Sequence, residues 1–143
     1  MGVDIHVYIT KYDREERIYN EIDLYANGCR VSPFDDRNYE LFDTLKEVPS
    51  LPIDTKIIVY GEVLFDYRNA TEPNRDEGYY GYGFCQVNLA DLLYFYMTDY
   101  DYEEKDYLGP FIEDIKSYIR IADRESEVES LPSLYNIIYW FDH

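Results

Sequence analysis

Asp4 and His6 lie two residues apart in Val3-Asp4-Ile5-His6-Val7-Tyr8-Ile9, where β-branched residues alternate with polar ones. On a strand, residues two apart share a face, so a carboxylate and an imidazole stand side by side. With Asp142 or His143 alongside, the pair can be drawn as a carboxylate/imidazole metal site. The simpler alternative is that Asp4 and His6 hydrogen-bond each other or Arg37 and tie the sheet to the first helix. Arg37 and Asn38 precede a stretch with helical spacing, and backbone N–H groups at a helix N-terminus favour anions. Joined by His6, they could hold a phosphate or a nucleotide. Arg37 can equally pair with Asp35, Asp36 or Glu40, with Asn38 serving as a cap. The expectation here is no resident metal and no cofactor.

The second chemical signal is charge. The chain of 143 residues carries 30 Asp and Glu against 13 Lys and Arg, a formal net charge of −17, and it holds 18 tyrosines. Solubility of a small domain needs a net charge of only about 2–8 in magnitude. The densest acidic run is Asp99-Tyr100-Asp101-Tyr102-Glu103-Glu104-Lys105-Asp106-Tyr107. Carboxylates interleaved with phenols can copy phosphates beside bases, and duplex DNA carries about one charge per 1.7 Å of axis. Tyrosine supplies broad, stiff contact area at low entropy cost. Direct binding to nucleic acid or to an anionic membrane is disfavoured, and a basic protein surface is favoured. The alternative for any one run is a solvated charged face.

Other chemistries are weakly supported. Cys29 and Cys85 have no local catalytic signature, and two cysteines are too few for a four-thiolate zinc site or a disulfide scaffold. The tract Gly78 to Phe84 lacks the Lys and Ser/Thr of a phosphate loop. Its tyrosines could stack on a base or an arginine, or line a mobile loop. Among so many acids a glycosidase-like pair could arise by chance, with nothing to single one out.

The elements that must position these residues follow from periodicity. Val3, Ile5, Val7 and Ile9 mark a first strand, and Ile18 to Tyr25 a second, antiparallel to it across a charged turn from Lys11 to Arg17. Asn27-Gly28 is a turn pair. Asp35 or Asp36 can cap a helix running to about Glu47, with Leu41, Phe42, Leu45 and Val48 inward and Pro49 and Pro52 beyond it. Lys56 to Phe65 reads as a strand broken at Gly61, and Asp66 to Phe84 as turn-rich. Asn88 can cap a helix from Leu89 to about Met97. Pro110 suits the first turn of another helix, with Phe111, Ile112, Ile115, Ile119 and Ala122 as its apolar stripe. Arg124 to Ser130 is polar, and Tyr135 to His143 reads as a buried strand. One domain is expected over residues 1–143. Its class is α+β, a mainly antiparallel sheet that includes both terminal strands, with about three helices packed on one face. Were the terminal strands neighbours, Asp4 and His6 would sit near Trp140 and Asp142.

Four segments resemble a family of small phage and prophage proteins, most of them uncharacterised. Met1-Gly2-Val3-Asp4-Ile5-His6 is similar to its Met-Gly-x-Asp-Ile-His opening, and Arg37-Asn38-Tyr39-Glu40-Leu41-Phe42 to its Arg-Asn-Tyr-x-Leu-Phe element. Tyr139-Trp140-Phe141-Asp142-His143 resembles its closing aromatic strand, and Asn88 to Leu93 a helix in the same region. Val3 stands where Cys or Thr is common, and Gly81 to Gln86 replaces a His/Ser/Trp-containing segment. The resemblance implies a phage origin and supplies no reaction.

Two functions are expected on these grounds. The first is a non-enzymatic, phage-encoded inhibitor of a host nucleic-acid-binding defence protein, of anti-CRISPR or anti-restriction type, acting by nucleic-acid mimicry. Its contact residues would be Asp99, Tyr100, Asp101, Tyr102, Glu103, Glu104, Asp106 and Tyr107. The alternative is a pocket at Asp4, His6, Arg37, Asn38 and Trp140 that binds, sequesters or hydrolyses a small anion such as a nucleotide signal. No apolar run approaches the roughly 18–20 residues of a bilayer span, and no secretory signal is read, so a cytoplasmic location in the infected host cell is expected.

Overall fold

The structure is a computed structural model, and it describes residues 4–48, 56–59, 62–66, 82–102 and 104–142. Within it the backbone alone is described for 4, 18, 56–59, 62–66, 82–85, 140 and 142. Strand β1 (Asp4–Asp13) and strand β2 (Ile18–Ile22) form a hairpin. Two short strands, β3 (Tyr25–Ala26) and β4 (Cys29–Arg30), follow, and then helix α1 (Tyr39–Glu47). Strands β5 (Lys56–Val59) and β6 (Glu62–Asp66) pair with each other. Strand β7 (Tyr82–Asn88) runs directly into helix α2 (Leu89–Thr98), and helix α3 (Leu108–Ala122) comes next. A 3-10 turn over Pro132–Leu134 leads into strand β8 (Tyr135–Asp142).

The main sheet is antiparallel with strand order β2-β1-β8-β7, so the two terminal strands are its centre. The class is therefore α+β, as the alternation at the start of the sequence and the apolar run at its end lead one to expect. Asp4 stands opposite Asp142 and His6 opposite Trp140 in the β1–β8 register. Ile5, Val7 and Ile9 of β1 and Ile137, Tyr139 and Phe141 of β8 are buried on one face. They join Leu41, Phe42 and Leu45 of α1, Leu89 and Leu92 of α2, and Phe111, Ile115 and Ile119 of α3 in one apolar cluster. Burying an aliphatic or aromatic side chain is worth about 1.5–3 kcal/mol, so this face drives assembly.

Tyrosine hydroxyls pin the layers together. Tyr139 donates to the Leu45 carbonyl at 2.9 Å, fixing α1 to the central strand. Tyr118 of α3 donates to the Val31 carbonyl at 3.0 Å and accepts from the Leu24 amide at 2.8 Å. Tyr135 donates to Asp123 at 2.8 Å and accepts from the Glu127 amide at 2.9 Å. A phenol buries its ring and still satisfies a backbone group, so part of the tyrosine excess serves the core.

Several boundaries depart from the sequence reading. β1 continues through Lys11 to Asp13, where a turn was expected. Lys11 is held there by Asp123 at 2.8 Å and by the Glu125 carbonyl at 3.1 Å, so its charge does not end the strand. Of the caps offered, Asn38 and neither Asp35 nor Asp36 starts α1, accepting from the Leu41 amide at 3.1 Å. The stretch read as one broken strand is two strands, β5 and β6, paired antiparallel; Gly61 itself lies outside the described residues. Tyr82 to Phe84 belong to β7, whereas residues 78–81 of the Gly/Tyr tract lie outside the described residues.

Candidate functional site

The acidic run lies between α2 and α3, and its ends are clamped. Asp99 closes α2, its amide donating to the Phe95 carbonyl at 2.9 Å. Tyr100 folds back so that its ring stacks on Tyr96, 5.6 Å between centroids, and its hydroxyl accepts from the Tyr107 amide at 3.1 Å. At the far end Asp106 accepts a short hydrogen bond from the Tyr96 hydroxyl. It also accepts from the amides of Leu108 and Gly109 at 3.1 and 2.8 Å, capping the first turn of α3. Asp106 is thus spent on the fold. The Tyr96 phenol is pushed up to about 12, first by that hydrogen bond, then by burial and the Asp106 charge.

Between these clamps Asp99, Asp101, Tyr102, Glu104 and Lys105 face solvent, and Tyr102 is half exposed. Glu103 lies outside the described residues. The exposed segment forms one wall of an open groove of about 680 Å³, and Glu40, Asp43 and Thr44 of α1 form the other. Among the described residues, Tyr100, Tyr102 and Tyr107 line it, with four carboxylates, Glu40, Asp43, Asp101 and Glu104, against the single ammonium of Lys105. Lys105 sits over the Tyr107 ring at 5.3 Å, and burial together with Glu40 raises the Tyr107 phenol. Asp43 meets Lys46 at 3.8 Å with both side chains exposed; such pairs are worth about 0–1 kcal/mol.

Many cations of the chain are engaged elsewhere. Lys11 pairs with Asp123 and lies 3.8 Å from Glu127, and Arg14 meets Glu127 at 3.3 Å. Lys116 and Arg120 pair with Glu129. Together these contacts order residues 123–129 against β1 and α3. Sequence reasoning found the run from Asp99 but missed Glu40 and Asp43. They stand three apart on α1, off the Leu41–Phe42–Leu45 face, and helical periodicity could have flagged them as a common outer stripe.

The second candidate region lies on β1. His6 and Arg37 do line one cavity, of about 360 Å³, together with Tyr8, Arg30, Ser32 and Asp35. Asn38 is committed to capping α1. The side chains of Asp4 and Trp140, and all of His143, lie outside the described residues. Arg30 was not anticipated. It arrives through the two-residue turn Asn27-Gly28, whose φ values of 54° and 78° are both positive, as a type I′ hairpin demands. Its guanidinium stacks 4.0 Å over Tyr8, and no local feature of the sequence links those two positions.

Among the described residues, no group of three His, Cys, Asp or Glu side chains could hold a metal ion, and no helix is long and apolar enough to cross a membrane. No family model, curated protein or solved structure matches the chain.

Proposed function

We propose that this chain is a phage-encoded acidic inhibitor that occupies the basic nucleic-acid channel of a host defence protein, a CRISPR effector or restriction enzyme, in the cytoplasm of an infected cell. The observation that carries the reading is the groove between α1 and the α2–α3 connection, where, among the described residues, four carboxylates and three tyrosines meet a single lysine. The four carboxylates present the charge pattern a phosphate-binding channel reads, on a scaffold fixed by Tyr96, Tyr100 and Asp106. Long-range attraction between the −17 chain and a cationic channel accelerates encounter. Tyr102 offers a ring face to a partner's guanidinium. Inhibition is by occupancy, with no bond made or broken.

The test is affinity capture from bacterial lysate with the wild-type chain and with an Asp101→Lys/Glu104→Lys variant, read by mass spectrometry at low and high salt. The expected result is a nucleic-acid-binding protein retained by wild type, released by salt and lost with the variant. Retention of the same partner by both proteins would overturn the reading.

A further inference from the structure

We infer that Asn27-Gly28, the tip of the β3–β4 hairpin, is a site of spontaneous deamidation, and that the isoaspartate it yields releases Arg30 from β1. The site shares no residue with the acidic groove and stands independently of the mimicry reading.

The chemistry begins in the sequence. Of the seven asparagines, only Asn27 precedes a glycine. Deamidation is an attack by the backbone nitrogen of the next residue on the asparagine's side-chain carbonyl carbon, and a glycine leaves that nitrogen unshielded. Asn27 and Gly28 are both exposed, and a Cβ added at Gly28 would meet nothing within 4 Å, so the approach is open. The turn is closed by only two residue pairs, Ala26–Cys29 and Tyr25–Arg30. A two-stranded ladder so short is marginal by itself, so its turn opens to the conformation that ring closure needs. The other described asparagines lack this combination. Asn38 and Asn88 cap helices, and Asn136 is buried. Asn20 lies within β2, opposite Lys11, and is followed by Glu21.

The Gly28 nitrogen gives its proton to solvent base and bonds to Asn27 Cγ. The Cγ–Nδ2 bond then breaks, and that nitrogen takes a proton from water and leaves as ammonia. The five-membered succinimide so formed adds one water. Cleavage between Cγ and the Gly28 nitrogen gives aspartate, with the main chain unchanged. Cleavage between that nitrogen and the Asn27 main-chain carbonyl carbon gives isoaspartate, with the chain routed through Cγ. Nothing is oxidised or reduced, and either product makes the −17 chain one charge more negative.

Only isoaspartate changes the hairpin. It adds a methylene to the main chain between Ala26 and Cys29, so a two-residue type I′ turn no longer fits. Aspartate keeps the turn, since it tolerates the left-handed region. Arg30 follows Cys29, and the register of this turn places it. Its Nε donates to Glu21 at 3.3 Å, a terminal nitrogen donates to the Val7 carbonyl at 3.0 Å, and its guanidinium lies 4.0 Å over Tyr8. Loss of the register loses these contacts together.

The experiment is incubation of the full chain in warm, mildly alkaline buffer, followed by peptide mapping with mass-spectrometric fragmentation that separates aspartate from isoaspartate. Wild type should accumulate both acids at residue 27, roughly tenfold faster or more than at any other asparagine, which is about 1.4 kcal/mol of barrier. The rate should rise with pH, because the attacking nitrogen must lose its proton. Asn27→Gln, which would have to close a six-membered imide, should stay intact. In the isolated isoaspartate form the Val7, Glu21 and Arg30 amide resonances should move, whereas Asn27→Asp, which makes the other product directly, should keep them in place. An Asn27 that stays intact, or reacts no faster than the other asparagines, would overturn the site. Isoaspartate formed with those amides unmoved, or equal movement in Asn27→Asp, would overturn the release of Arg30.

Discussion

Replacing Tyr96 with Phe deletes one hydroxyl, leaves the net charge at −17, and tests the clamp that holds the acidic segment. That hydroxyl donates to Asp106, which also accepts from the Leu108 and Gly109 amides. A hydrogen bond to a charged group contributes about 1.5–3 kcal/mol. Asp106 is half-buried, so water can reach the orphaned oxygen, and the low end applies: about 1.5 kcal/mol. Asp106→Ala removes the same bond together with the cap of α3, about 1 kcal/mol more, and its favourable placement at the helix N-terminus, about 0.5 kcal/mol. Its cost is therefore about 3 kcal/mol. For a chain of this length, 1 kcal/mol corresponds to about 4 °C in Tm. Thermal and urea unfolding should show Tyr96→Phe about 6 °C and Asp106→Ala about 12 °C below wild type.

The pH dependence gives a second readout of the same bond. The phenol stands near 12 in the folded chain and near 10 in the unfolded one. A raised folded value stabilises fully below pH 10, and that stability is lost as pH rises through 12. The gap between wild type and Tyr96→Phe should thus hold up to pH 10 and close towards 12. A Tyr96→Phe protein within about 0.5 kcal/mol of wild type at pH 8, or a gap indifferent to alkali, would refute the reasoning.

Two glycines should respond to alanine for different reasons. At Gly28 an added Cβ meets nothing within 4 Å, so Gly28→Ala should cost only the positive-φ strain, about 1 kcal/mol by urea unfolding. At Gly109 the added Cβ would stand 2.7 Å from the Tyr96 hydroxyl and closer still to Asp106, so Gly109→Ala should break the clamp and match Asp106→Ala. Asn88→Ala should destabilise by about 2 kcal/mol in the same assay, since its side chain caps α2 through the Ala90 amide and also donates to Ser133 and Asn136. In acid, burial pushes the Asp123 carboxyl up, but hydrogen bonds from Lys11 and Tyr135 outweigh it and hold the group below its usual value. Its stabilisation is present above that usual value of 3.8 and lost as pH falls through the lower folded value, so acid unfolding of Lys11→Met should depend less steeply on pH there.

The central sheet was legible because Ile5, Val7 and Ile9, and the unbroken apolar run ending in Phe141, have the period and composition of buried strands. Helix starts were half legible. Asn88 and Asn38 are both caps, yet the nearby Asp35 and Asp36 offer the same chemistry, and only the backbone path selects among them. The acidic run could be seen in the sequence because it is contiguous. Its α1 wall could not, because Glu40 and Asp43 become neighbours of Asp101 and Glu104 only once three helices share one face of the sheet. The tyrosine excess misleads in part: Tyr118, Tyr135 and Tyr139 are spent on buried backbone and carboxylate partners. Arg30 was invisible because its role depends on a hairpin folding it over Tyr8.

The most direct measurement is the affinity for the captured partner as a function of salt, with duplex DNA as competitor. If the groove stands in for nucleic acid, affinity should fall steeply between about 50 and 500 mM salt, where screening shortens from over 10 Å to a few Å. DNA should displace the chain from a shared site. An affinity flat across that range, or a ternary complex in which the partner holds DNA and this chain together, would contradict it.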